Sequence, residues 1–231
     1  MVIKRCIILL ILNIYSTFLF SQIQVKNHFS ITGKKDVAVN TITQDHNGYL
    51  WLGTKEGLYK FDGKSSQEAL KEYPQLKQEI TSVYVGSNNS IWIGTKTGKV
   101  FFYINNKFDS INFLNTPNEE KITSFAEINS KIYIGTYGNG LYTFSNKKLT
   151  HYDSEHGLSD NVIYSIASDG KDKIWCGTDA GITQIKNLKA KPYFTIISNK
   201  DGLPDNITRD IYFNEKHLLI SMQDSGLVII I

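Results

Sequence analysis

Cysteine is nearly missing from this 231-residue chain. Only Cys6 and Cys176 occur, and Cys6 lies in an apolar N-terminal stretch, so no disulfide framework can be built. Arginine is equally scarce, with Arg5 and Arg209 alone, whereas a protein that grips phosphates through bidentate contacts uses several. Charge of one sign is lacking too: 25 basic against 22 acidic residues give a net charge of +3. Nucleic acid is therefore excluded as an expected partner. No nucleotide-binding loop, zinc-ligand spacing or nucleophile elbow is present, and no cofactor or metal is expected. Past the N-terminus, no apolar run is long enough to cross a membrane.

The N-terminus is different. Lys4 and Arg5 precede an apolar stretch from Cys6 to Phe20, then Ser21-Gln22, which reads as a secretory signal over residues 1–21. A retained anchor and a buried element are the alternatives. Removal of Lys4 and Arg5 from the 25 basic residues leaves 23 against 22 acidic, a net charge of +1. The expected location is periplasmic or extracellular, and membrane attachment is expected only through an uncleaved signal or a C-terminal region outside this chain.

What is abundant is repetition. An aromatic, an aliphatic or Cys, then Gly-Thr recur at Trp51-Leu52-Gly53-Thr54, Trp92-Ile93-Gly94-Thr95, Tyr133-Ile134-Gly135-Thr136 and Trp175-Cys176-Gly177-Thr178, with an eroded copy at Leu219-Ile220-Ser221-Met222. The steps are 41, 41, 42 and 44 residues, a period at which four short strands make one propeller blade. Residues 161–205 show the unit: a short alternating strand, the turn Asp169–Asp172, the Gly-Thr strand, a turn closing on Gly181, and two more strands. The predicted fold is all-β, a β-propeller of four-stranded antiparallel blades over residues 22–231, with blades starting near 39, 80, 122, 163 and 207. About five blades are present, either a five-bladed ring or part of a seven-bladed one. The fifth unit stops after a third strand at Gly226–Ile231, and His28-Phe29-Ser30-Ile31 is similar to a fourth strand such as Tyr193-Phe194-Thr195-Ile196 that could complete the last blade.

The stretches Ile163–Thr178 and Gly48–Phe61 resemble the two-component regulator propeller repeat, as do the linkers His156-Gly157-Leu158-Ser159-Asp160-Asn161 and Asp201-Gly202-Leu203-Pro204-Asp205-Asn206. The resemblance covers about Ile31 to the end. It implies the periplasmic sensor region of a membrane histidine kinase or hybrid two-component system, an oligosaccharide or other small ligand, and a homodimer in a full-length sensor. No kinase, phosphoacceptor or DNA-binding segment accompanies it. The expectation is a ligand-sensing domain without catalytic activity, an N-terminal fragment of a longer sensor. The alternatives are a secreted propeller lyase or glycosidase and a protein-binding scaffold, since fold does not fix function.

Residues constant in every copy are explained by the blade. Trp51, Trp92 and Trp175 suit sugar stacking, but their identical placement favours packing between blades, and Cys176 replaces a core aliphatic and is expected to be inert. His46, His151, His156 and His217 are scattered, and Asp153 with Glu155 and Glu119 with Glu120 read as loop charges. Ligand specificity is expected in the turns after each Gly-Thr, which differ from copy to copy: Lys55-Glu56, Lys96-Thr97, Tyr137-Gly138-Asn139, Asp179-Ala180 and Gln223-Asp224-Ser225. The candidate ligand-binding residues are Tyr137, Asn139, Lys55, Glu56, Lys96, Asp179, Gln223 and Asp224, with no catalytic residue expected.

Overall fold

Ile91–Thr95 is apolar at consecutive positions rather than alternate ones, the pattern of a strand covered on both faces, and in the computed structural model all five residues are buried. The structure describes residues 37–111, 113, 120–186, 188 and 190–230, within the body formed by Ile31–Ile231. The expected leader, residues 1–21, and the segment His28–Ile31 lie outside the described residues, as does Glu119.

The described chain forms five antiparallel meanders, each hydrogen-bonded in chain order. Blade 1 holds β1 (Val39–Gln44), β2 (Leu50–Thr54), β3 (Leu58–Phe61) and β4 (Ser66–Glu68). Blade 2 holds β5 (Ile80–Val85), β6 (Ile91–Thr95), β7 (Val100–Ile104) and β8 (Lys107–Ile111). Blade 3 holds β9 (Ile122–Ile128), β10 (Lys131–Thr136), β11 (Leu141–Ser145) and β12 (Lys148–Tyr152). Blade 4 holds β13 (Ile163–Ser168), β14 (Lys173–Thr178), β15 (Gly181–Lys186) and β16 (Tyr193–Ile197). Blade 5 has three described strands, β17 (Thr208–Phe213), β18 (Leu218–Met222) and β19 (Gly226–Ile230). The fold is an all-β propeller. Tight hairpins follow local chemistry: Asn105-Asn106, Asn129-Ser130 and Asn146-Lys147 have positive φ at both central residues, which matches the twist of the strands they join.

The first strand of each blade packs against the first strand of the next, in the order β1, β5, β9, β13, β17. Each hydrophobic core is accordingly shared by two consecutive blades. Trp51 and Leu58 pack with Ile80, Val83 and Ile93; Trp92 and Val100 with Ile122, Phe125 and Ile134; Tyr133 and Leu141 with Ile163, Ile166 and Cys176; Trp175 and Ile182 with Ile211 and Ile220. A twisted blade cannot bury both faces by itself, so stacking of neighbours supplies the core. The face of blade 5 pointing away from blade 4 is different. There Leu227 occupies the register position of Leu58, Val100, Leu141 and Ile182, but it is 66% exposed where those four are buried.

Gly and Thr of the repeat have separate tasks. A Cβ on Gly94 would stand 2.5 Å from Ile122 Cγ2, and one on Gly53 2.8 Å from Ile80 Cγ2, so glycine lets the next blade close in. The following Thr clamps the turn: Thr178 Oγ1 donates to the Gly181 carbonyl at 2.9 Å and accepts from the Ala180 N–H at 3.0 Å. Thr54 and Thr136 repeat this with Gly57 and Gly140. In blade 5, Ser221 and Met222 stand at these positions.

Candidate functional site

Each first strand carries a bulge near its start. The register with the second strand shifts between Val39 and Thr41, Ile80 and Ser82, Ile122 and Ser124, Ile163 and Ser165, and Thr208 and Asp210. The extra residues are Asn40, Thr81, Thr123, Tyr164 and Arg209. They lie at the end of the propeller that also carries the turns after the second strands, because an antiparallel meander starts its first strand where its second ends. A bulge re-aims the residue it inserts, and here the side chains divide into two kinds.

The small ones are directed at backbone. Asn40 Nδ2 donates to the Ile80 carbonyl at 2.9 Å, and Thr81 Oγ1 to the Ile122 carbonyl at 2.6 Å, stitching one blade to the next. Thr123 Oγ1 and the neighbouring Ser124 Oγ are buried and have no hydrogen-bond partner among the described residues. Tyr164 and Arg209 are too large for this and reach the rim. The Tyr164 hydroxyl donates to Asp179 Oδ1 at 2.8 Å. The Arg209 guanidinium lies 4.2 Å from the centre of the Tyr164 ring, a cation–π contact, and its Nη2 donates to Gln223 Oε1. On the other side the Tyr137 ring meets Tyr164 edge-on, with centroids 5.8 Å apart and planes at 72°. Burial first, then the hydrogen bond to Asp179 and its charge, push the Tyr164 phenol up to about 12 against the opposing pull of Arg209. Its hydroxyl therefore stays protonated across the physiological range.

Three of the turn residues expected from sequence, Tyr137, Asp179 and Gln223, are thus joined across blades 3, 4 and 5 by two residues that turn variation did not reveal, Tyr164 and Arg209. Asp224 sits alongside, its N–H donating to Asp205 Oδ2 at 3.2 Å. The N–H groups of Ile207 and Asp224, with Arg209 nearby, hold Asp205 below the usual carboxylate range. The Asn139 N–H donates to the Thr136 hydroxyl, and its carbonyl lies 2.7 Å from His151 Nε2. Lys96 pairs with Glu79 at 3.0 Å, while the Lys55 N–H donates to the Ala38 carbonyl ahead of β1 and the Glu56 N–H to the Thr54 hydroxyl within the turn. The signal that could have found Tyr164 and Arg209 is the run Asn40, Thr81, Thr123, Tyr164, Arg209 at one repeat position, small in three copies and large in two.

The tryptophans are buried. Trp51 Nε1 donates to Asp45, Trp92 Nε1 to Ser90 Oγ at 3.0 Å, and Trp175 stacks on Phe213 with centroids 5.1 Å apart. Asp153 caps the short 3-10 turn Ser154–His156, accepting from the N–H groups of Glu155 and His156 and lying 2.7 Å from His156 Nδ1. Among the described residues no group of three or more His, Cys, Asp or Glu side chains gathers as a metal site, and no helix is long and apolar enough to cross a membrane.

The family model for the two component regulator propeller matches residues 33–56 and 157–180. These two stretches are repeats of the two component regulator propeller type. Both matches begin at the linker glycine, Gly33 or Gly157, and run into the first turn or pair of residues after Gly-Thr. No curated protein matches the chain. Among solved structures, the extracellular domain assigned to a hybrid two component system of B. thetaiotaomicron superposes with a TM-score of 0.73 at 24% identity, over 88% of this chain and 28% of that one. A second such domain from B. thetaiotaomicron gives 0.63 at 20% identity, over 86% of this chain and 28% of its own. Virginiamycin B lyase from Staphylococcus aureus gives 0.64 at 16% identity, over 88% of this chain and 73% of that one. These likenesses show the propeller fold, and the chain spans 28% of the length of the two component structures.

Proposed function

We propose that this regulator-propeller chain is a ligand-receiving part of an extracytoplasmic sensor of a hybrid two-component system, and that it has no catalytic activity of its own. The repeat match and the likeness to extracellular domains assigned to such systems support the sensor reading. The observation that carries ligand binding is the rim constellation of Tyr137, Tyr164 and Arg209 over Asp179 and Gln223. Exposed aromatic faces suit the apolar faces of sugar rings, while a guanidinium and carboxylates suit their hydroxyls. The ligand class is an oligosaccharide, and the signal passes to a membrane and kinase region encoded beyond residue 231, in a homodimeric full-length sensor.

Calorimetry of the purified chain against a panel of neutral and acidic oligosaccharides tests the binding. Saturable heat with at least one member, weakened tenfold or more (about 1.4 kcal/mol) by Arg209→Ala or Tyr137→Ala, is the expected result. No saturable heat with any member, or binding indifferent to both substitutions, overturns the rim site. The DNA following codon 231 tests the rest, with an open reading frame through a membrane span and a histidine kinase expected there.

A further inference from the structure

The opposite end of the propeller, where first strands turn into second strands, holds a site of different character. The turns are stitched across blades: the His46 N–H donates to Asn89 Oδ1 at 3.3 Å, and Asn129 Nδ2 donates to the Lys171 carbonyl at 3.3 Å. Between them opens a cavity of 480 Å3 whose lining includes His46, Tyr84, Ser87, Glu127, Asn129 and Ser130. Tyr84 and Glu127 also line a second cavity of 260 Å3 between the first strands, whose walls include Phe125, Tyr212 and Phe213. The two cavities meet at one phenol and one carboxylate. The larger falls within the size range of small-molecule sites.

Among the described residues Glu127 is the one carboxylate lining either cavity, and no Lys or Arg lines them. Its two oxygens accept from the Ser87 N–H at 2.7 Å and the Ser87 hydroxyl at 2.8 Å, which fixes the group while leaving each oxygen further acceptor capacity. A carboxylate held at the meeting of two cavities, with aromatic rings beside it, complements a positive charge. Among the described residues no group of three or more His, Cys, Asp or Glu side chains gathers here, so the lining is not built as a metal cage. We propose that the meeting of these two cavities binds an organic ammonium group, with Glu127 receiving the charge and Tyr84 bounding the ring or chain that carries it. The site is separate from the rim around Arg209 and adds a second ligand class to the chain.

Calorimetry with glucosamine, putrescine and glucose separates the carriers from the charge. Saturable heat is expected with glucosamine or putrescine and none with glucose at equal concentration. Which amine binds distinguishes a sugar carrier from an alkyl one. Glu127→Gln keeps the shape and removes the charge, and should weaken amine binding tenfold or more, whereas Arg209→Ala at the rim should leave it unchanged. Asn129→Asp adds a second carboxylate to the lining of the larger cavity and should tighten binding, a gain that a folding defect in Glu127→Gln cannot mimic. Absence of binding by either amine, equal binding of glucose, indifference to Glu127→Gln in a folded variant, no gain with Asn129→Asp, or loss on Arg209→Ala overturns the proposal.

Discussion

The indole nitrogen of Trp51 donates to Asp45 Oδ2 at 2.9 Å, and Asp45 is almost wholly withdrawn from solvent. The same carboxylate accepts from the N–H groups of Asn47 and Tyr49 at 2.9 and 3.0 Å, and Lys60 approaches to 3.8 Å. Burial alone raises an acid, but here the hydrogen bonds from Trp51, Tyr49 and Asn47, with the charge of Lys60, outweigh it and lower the Asp45 pKa below 3.8. One side chain thus closes the first turn of blade 1 and anchors the tryptophan that faces blade 2.

Asp45→Ala leaves several of these donors without a partner, and each buried unsatisfied group costs about 1–3 kcal/mol. A loss of about 2–3 kcal/mol in urea unfolding is expected, with Asp45→Asn retaining part of it. A change below about 0.5 kcal/mol in Asp45→Ala would contradict the anchoring role. Because the folded pKa is depressed, the contribution of Asp45 is present above the unfolded value near 3.9 and disappears as pH falls through the folded one. The wild type should accordingly lose more stability on acidification below about pH 4 than Asp45→Asn does.

Gly94 and Ser221 occupy equivalent repeat positions with different neighbours. An alanine at 94 forces its Cβ against Ile122, and overpacking of this kind costs about 1–3 kcal/mol. Ser221 faces away from blade 4, so Ser221→Ala should stay within about 0.5 kcal/mol of the parent. Thermal denaturation of the two variants side by side checks the contrast, and equal losses would refute it.

Cys176 is fully enclosed between blades 3 and 4, and burial pushes its thiol up to about 12. In the native protein it should not react with a water-soluble disulfide reagent at neutral pH, and it should react fully once urea unfolds the chain. Fast modification of the folded protein would show that the blades separate far more often than their packing implies.

Alkaline pH should destabilise the propeller. Burial and the charge of Glu127 push Tyr84 up to about 12, and Tyr164 reaches about the same value; burial also raises Tyr133. Their folded pKa values exceed the unfolded value of about 10, so the stability they contribute is intact below about pH 10 and is lost between about pH 10 and pH 12. The urea midpoint should fall across that window, and phenol absorbance should show at least two tyrosines whose ionisation is delayed to its upper edge. Tyr164→Phe should reduce the fall, and an unchanged slope would argue against its part in it.

The repeat was legible because Gly-Thr does two jobs that no other pair does as well, admitting the next blade and clamping the turn. Five blades and their strand order follow from that period. The bulge was hidden, since one additional residue at the start of a first strand changes its pairing with the second strand and leaves no mark on hydrophobicity. For that reason turn variation pointed to Tyr137, Asp179 and Gln223 but not to Tyr164 and Arg209, which hold them together. It also pointed to Lys55, Glu56 and Lys96, whose blades carry Asn40 and Thr81 at the bulge. Those two side chains bend onto the backbone of the following blade instead of reaching for the turns. Which exposed polar residues lie near one another is set by the curvature of the stack, and that is a property of packing that no single strand records.

The sharing of each core between two consecutive blades has an evolutionary side. Ile80, Ile122 and Ile163 present the same side chain to the glycine of the preceding copy, so leading and trailing surfaces are interchangeable parts. Loss or duplication of one whole period, cut anywhere so long as the frame is kept, restores an interface of a kind already present, whereas loss of half a period leaves a surface with no match. Such an array can drift in copy number by whole units while point mutation reshapes its rim, and the history of the rim becomes separable from the history of the scaffold beneath it.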